Sequence, residues 1–147
     1  GYPDAAGERE LIDRRADRTA QAPAVESVID ADAVRALRRI PEQIAVEDEL
    51  RDYVVAVCRE TRADRRVDVG VSPRGVQRLF EASRARAAIE GREYVVPDDV
   101  LAVAEPVLAH RLVLTAETSV RETTRRDVVR DVLDRVEVPA MTAPDAS

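Results

Sequence analysis

The sequence predicts an all-α bundle of five or six helices with at most two very short extended pieces. Apolar residues recur at three- and four-residue spacing through most of the chain. Ser, Thr or Asp followed by Pro or acidic residues punctuates the helix starts. The only alternating stretches, around Val67, Val69 and Val71 and over residues 94–96, are too short to build a sheet-based core. At 147 residues the chain has the size of one domain. It can bury about two-thirds of its unfolded surface without disulfide or metal staples.

Each element has its own warrant. Residues 8–17 form a short helix with Glu10 and Arg14 at i,i+4 spacing. Residues 19–28 lack helical periodicity and contain Pro23, so a loop is expected. Asp30 is placed as an N-cap, with Val34, Leu37 and Ile40 on one helical face and Pro41 ending it. Residues 46–63 form a helix whose stripe of Val46, Leu50, Tyr53, Val54, Val57 and Thr61 faces the core. Ser72 and Pro73 start the next helix, which continues through Val76, Leu79, Phe80, Ser83 and Ala87 and stops at Gly91. Pro97 opens another, with Asp98 and Asp99 suited to its first turn and Val100, Ala104, Val107, Leu108 and Leu112 facing inward. Pro106 kinks or splits it. Thr124 caps a last amphipathic helix carrying Val128, Val129, Val132, Leu133 and Val136, and a frayed tail follows Pro139.

Composition narrows the chemistry. All 23 basic residues are Arg, and the absence of Lys excludes a Schiff base and a phosphate-loop lysine. One His and one Cys exclude an internal disulfide and any His/Cys metal cage, so no metal site is predicted. The net charge of −6 has the wrong sign for a general nucleic-acid binder. No apolar run approaches the roughly 18–20 residues of a membrane span. No secretory signal pattern is visible, and the lone Cys58 in an apolar helical pattern fits a reducing compartment; a cytoplasmic location is expected. The opening Gly1, Tyr2 and Pro3, without Met, predicts a piece of a longer chain.

One residue does not fit a bland bundle. Arg74 falls at the second position of the helix that Ser72 starts, where free N–H groups and the helix dipole oppose a cation by about 0.3–1 kcal/mol. The placement becomes favourable when an anion arrives, because backbone N–H groups and a guanidinium can grip one phosphate together. Gly75 beside it leaves room for close approach. Among 23 Arg, one also reaches a first turn by chance.

The neighbourhood of Arg74 is more specific. Val71, Ser72, Pro73, Arg74 and Gly75 are followed by Leu79, Ala82 and the run Ser83, Arg84, Ala85, Arg86, Ala87. Then come Gly91, Arg92, Glu93, Tyr94 and Val95, then Pro97, Asp98, Asp99 and Val100, then Val107, Leu108, Ala109, His110, Arg111 and Leu112. This set resembles the C-terminal lid of MoxR-type AAA+ ATPases, most specifically over residues 72–112. Upstream, Tyr53, Val54 and Val55 with Thr61 and Arg62 look like the family's preceding lid helix. Gly1, Tyr2, Pro3 and Glu8 look like the segment leaving the ATPase core.

The resemblance implies a linker from the core over residues 1–29, a helical lid over 30–139 and a disordered tail over 140–147. It implies that Arg74 is the sensor-2 residue reaching the γ-phosphate of ATP; Tyr2 and Pro3 are either a simple connector from the core or a border of the adenine. ATP and Mg2+ would be bound by the whole protein, not tightly by this chain alone. The Walker A loop, Walker B carboxylates, sensor-1 residue and arginine finger of such ATPases have no counterpart here, so the chain by itself is expected not to hydrolyse ATP. Val96 stands where such helices often carry a Ser or Thr cap. The implied partners are an N-terminal AAA+ core, neighbouring subunits of a hexameric ring and von Willebrand A-type proteins, with chaperone-like remodelling of protein clients as the task. Membranes and nucleic acid are not expected partners. A nucleic-acid-binding helical domain or a protein-interaction bundle without a nucleotide role is the alternative. His110 and Arg111 match the family, and a lone His near a helix end ordinarily satisfies local carbonyls. Arg125, Arg126 and Arg130 form a basic face on the last helix.

Overall fold

The computed structural model describes residues 2–17, 26–121 and 123–140. The loop expected at 19–28 and the tail after Pro139 lie largely outside them. The chain divides into two units, Gly1–Val34 and Arg35–Ser147. In the first, helix α1 (Ala5–Ala16) is capped by Asp4, whose carboxylate accepts from the Gly7 amide, and the expected Glu10–Arg14 pair forms at 2.5 Å. Helix α1 buries none of its residues.

Helix α2 (Ala31–Leu37) starts where Asp30 was placed, with the Asp30 carboxylate accepting from Ala33 N at 2.7 Å. The face of Val34, Leu37 and Ile40 is not assembled. The helix stops at Leu37, and Ile40 belongs instead to a 3-10 turn, Ile40–Gln43, with Pro41 in its first turn. All three side chains are exposed.

The second unit holds the core. Helix α3 (Asp48–Ala63) buries Leu50, Tyr53, Val54, Val57, Cys58 and Thr61, the predicted stripe plus the thiol; Val46 is buried just ahead of it. Helix α4 (Pro73–Ile89) packs Leu79, Ser83 and Ala87 against that stripe and against α5 (Pro97–Leu108), which contributes Val100, Ala104 and Leu108. Helix α4 ends in a Schellman motif. Gly91 takes φ +72°, its amide donates to Ala88 O, and Arg92 N reaches back to Ala87 O. Pro106 does not break α5; the helix tightens three residues later into a 3-10 turn at Ala109–Arg111. Helix α7 (Arg125–Arg135) closes the core with Val128, Val129 and Val132.

The described residues hold seven α-helices, one beyond the six that the sequence marks, because α6 (Ala116–Val120) is too short to show a period. The extended piece around Val67 becomes strand β1 (Val67–Val69), antiparallel to β2 (Val113–Leu114) with Val67 opposite Leu114. The second expected piece is a single parallel bridge, in which Tyr94 lies beside Ala45; Ala45 N donates to Glu93 O and Val95 N to Ala45 O.

Candidate functional site

Arg74 sits in the first turn of α4, and the chain leading into that turn is held from two sides. Thr61, buried on α3, donates its hydroxyl to Cys58 O at 2.7 Å and accepts Val71 N at 3.0 Å. Arg62, the next residue, donates Nε to Val71 O at 2.6 Å. Gly70 makes this approach possible, since a Cβ there would stand 2.8 Å from the Arg62 backbone. The entry to α4 is thereby hydrogen-bonded to the last turn of α3, with the fully buried Val71 as its anchor.

Gly75 is the second close approach. A Cβ at that position would meet Val71 Cγ1 at 2.4 Å and Arg111 Cδ at 3.4 Å. The space that Gly75 leaves is therefore filled by the chain itself. Arg111 lies half-buried against this turn, with Nε donated to Val107 O at 2.9 Å. Its stem covers Gly75, next to the residue that projects.

Arg74 is exposed and makes no hydrogen bond or ion pair with any described residue. Most guanidinium groups of this unit are engaged, as in Arg66 with Asp64 and Arg92 with Asp99. Ser72 occupies the N-cap position with extended backbone, but its side chain makes no capping bond; the amides of Gly75 and Val76 go to the Ser72 carbonyl instead. The expected hydroxyl cap is thus corrected to a carbonyl one. Pro73 has no N–H to offer, so one helix-start donor is removed at the outset.

The other predicted residues fall elsewhere. Tyr2 is fully exposed in the extended entry to α1, in the first unit, and Pro3 lies over the first turn of α1, where a Gly7 Cβ would approach its Cβ to 3.0 Å. His110 is exposed, with Nδ1 donating to Pro106 O at 3.1 Å, so its tautomer is fixed by a local carbonyl. Among the described residues no group of three His, Cys, Asp or Glu side chains could hold a metal ion. Burial pushes the Cys58 thiol up to about 11, against the opposing charge of Arg62, so it stays protonated at neutral pH. Sequence reasoning missed the roles of Gly70 and Arg111 at the Arg74 turn, although for Gly70 the two glycines spaced five apart around Ser72 and Pro73 were an available signal.

The α5 start answers the concern raised by Val96. Val96 has no acceptor, but Asp99 supplies the reciprocal arm of a capping box by taking Val96 N at 2.9 Å. The same carboxylate, 2% exposed, receives both terminal nitrogens of Arg92 at 2.5 and 2.7 Å. This fork joins the end of α4 to the start of α5.

The AAA lid domain family matches residues 59–132, half of the chain, which includes the Arg74 turn, the Arg92–Asp99 fork and most of α7. The chain belongs to that family. Within it, this lid is of the MoxR type. It is 36% identical over 152 aligned residues to the chaperone MoxR1 of Mycobacterium tuberculosis, covering 97% of this chain and 40% of that protein. A match to the MoxR protein of Paracoccus denitrificans is 46% identical over 79 residues, covering 45% of this chain and 23% of the other. An uncharacterised Bacillus subtilis protein, YeaC, is 30% identical over 95% of this chain and 43% of its own length. The crystal structure of a provisionally assigned ATPase from Cytophaga hutchinsonii shares the fold, with a TM-score of 0.78 at 22% identity over 95% of this chain and 45% of that one. The lid thus spans less than half the length of these relatives.

Proposed function

We propose that this lid couples ATP binding and hydrolysis in an AAA+ core to chaperone-like remodelling of protein partners, with Arg74 as its sensor-2 residue. The observation that carries the reading is Arg74 itself: an exposed guanidinium without a partner among the described residues, projecting from a helix turn that Thr61, Arg62, Val71 and Arg111 hold in place. Because the turn is already held, only the Arg74 side chain has to be ordered when charge develops on a phosphoryl oxygen. Bound ATP would supply the phosphoryl group. Arg74 would hold the terminal phosphate and, by its attraction, draw the lid toward the nucleotide-bound arrangement. The phosphate loop and magnesium ligands belong to the core, as do any contacts made by Tyr2 and Pro3. The printed name of the Mycobacterium tuberculosis relative, a chaperone, supports the remodelling role. A hexameric ring, von Willebrand A-type partners and a cytoplasmic location complete the proposal. No described helix is long and apolar enough to cross a membrane.

The test is Arg74→Ala in the full-length protein, with melting temperature and ATPase rate measured on the same preparation. Arg74 is exposed and unpaired, so the melting temperature should hold. Hydrolysis should fall at least tenfold, about 1.4 kcal/mol in barrier. Leu79→Ala, in the fully buried centre of α4, should instead cost about 2–5 kcal/mol of stability. An Arg74→Ala protein that melts early, or that hydrolyses ATP at the parent rate, would remove the sensor role.

A further inference from the structure

A groove of about 1100 Å³ runs between α3 and α4, bounded at one end by the 3-10 turn at Ile40–Gln43 and at the other by Pro73. Helices α3 and α4 flank it in opposite directions: Arg62 near the end of α3 bonds to Val71 ahead of α4, whereas Arg84 late in α4 bonds to Ile44 ahead of α3. Its floor is apolar. Val55 is 42% exposed, and Val76 and Phe80 are half-buried. The rim is cationic, with six Arg against two Glu, in a chain whose net charge is −6. Two of those Arg, Arg38 and Arg59, have no hydrogen bond or ion pair with any described residue. Arg84 lies over the Phe80 ring, 5.5 Å from its centre, and extends the apolar floor with a cation at its edge.

We infer that this groove is a docking site for an acidic amphipathic helix of a partner protein. The stretch of α3 from Arg51 to Arg62 and of α4 from Pro73 to Ala85 is about 16–18 Å long at the ordinary helical rise, the length of three helical turns. An incoming helix laid between them would bury an i, i+3, i+4, i+7 stripe on Val55, Val76 and Phe80 while its flanking carboxylates met Arg38 and Arg59. The sign of the partner follows from the local rim rather than the whole molecule, because charges beyond about 8–10 Å are screened at physiological salt. The groove is too apolar along its floor, and carries too few stacking rings, to favour a single-stranded nucleic acid, which pairs successive aromatic side chains with bases. Since the groove reaches Pro73, an occupant would touch the turn that presents Arg74. The inference stands apart from the nucleotide role of Arg74.

Three probes decide it, each titrated into the isotope-labelled chain and followed by amide chemical shifts. They are a helical peptide of about 14 residues with Leu on one face and Glu on both flanks, its Lys-flanked twin, and a single-stranded oligonucleotide of matching charge. The Glu peptide should shift Val55, Val76 and Phe80, bind at least tenfold tighter than the Lys twin and weaken as salt rises. The double variant Arg38→Glu, Arg59→Glu breaks no ion pair between described residues, so it should keep its melting temperature while losing at least tenfold in affinity for the Glu peptide. Equal binding of the twin peptides, shifts that map away from the groove, or tighter binding of the oligonucleotide would overturn the assignment. A groove already closed by self-association in sedimentation would overturn it too.

Discussion

Gly75 shows how much of this lid depends on single atoms. In the middle of a first turn a glycine ordinarily weakens a helix by about 1 kcal/mol against alanine. Here that loss is set against a direct clash, because an added methyl would collide with the fully buried Val71 Cγ1 while merely touching the Arg111 stem. Overpacking of this kind costs about 1–3 kcal/mol and the better helix propensity returns about 1, so Gly75→Ala should be destabilising by up to about 2 kcal/mol. Thermal melting of the isolated lid checks it; a Gly75→Ala protein as stable as the parent would mean that Val71 can move aside. Arg74, one residue earlier, has the opposite character. Its side chain is exposed and makes no hydrogen bond or ion pair with a described residue, so its replacement should leave stability nearly unchanged.

Helix starts provide the sharpest test at the level of elements, because three of them solve the same problem differently. Helix α7 has a full capping box: Thr124 Oγ1 takes the Asp127 amide and Asp127 takes the Thr124 amide. Helix α5 has only the reciprocal half, from Asp99. Helix α4 has neither. Thr124→Ala should therefore cost about 1–2 kcal/mol, whereas Ser72→Ala should change stability by no more than a few tenths, as read by urea unfolding of the two variants. The sequence marks all three starts equally well, through Thr124, Ser72 with Pro73, and Pro97 with two Asp. It does not reveal which hydroxyl is used, since that depends on where the preceding loop is pinned. The core faces of α3, α4, α5 and α7 were legible from periodicity alone. Strand β2 and helix α6 were not, because two and five residues carry no period, and the Arg111 contact with Gly75 joins positions 36 apart. At the site, Arg74 stood out as a cation in a helix's first turn, while Thr61 read only as part of a core stripe.

Across the whole molecule the bundle is tied at one corner by charge. Asp64, 8% exposed at the end of α3, receives Arg66 from the loop before β1 and Arg135 from the last turn of α7. The Arg66 hydrogen bonds, with the single one from Arg135, hold its carboxyl well below the usual carboxylate range even though burial acts the other way. A carboxyl depressed in the folded state stabilises the fold above its unfolded value of about 3.9 and loses that contribution as pH falls through the folded value. The parent chain should therefore lose melting temperature steeply below about pH 4. Asp64→Asn should be less stable at pH 7 but should show a flatter acid limb, and identical acid limbs would show that other carboxylates carry the response. The Arg92–Asp99 fork ties the far end of α4 to α5 just as Thr61 and Arg62 tie its near end to α3. Helix α4, 17 residues and so about 25 Å long, is thus clamped at both tips. By lever geometry, a tilt of about 10° about its Arg74 end would carry the opposite tip through about 4 Å, a displacement that the two clamps would pass on to α3 and α5.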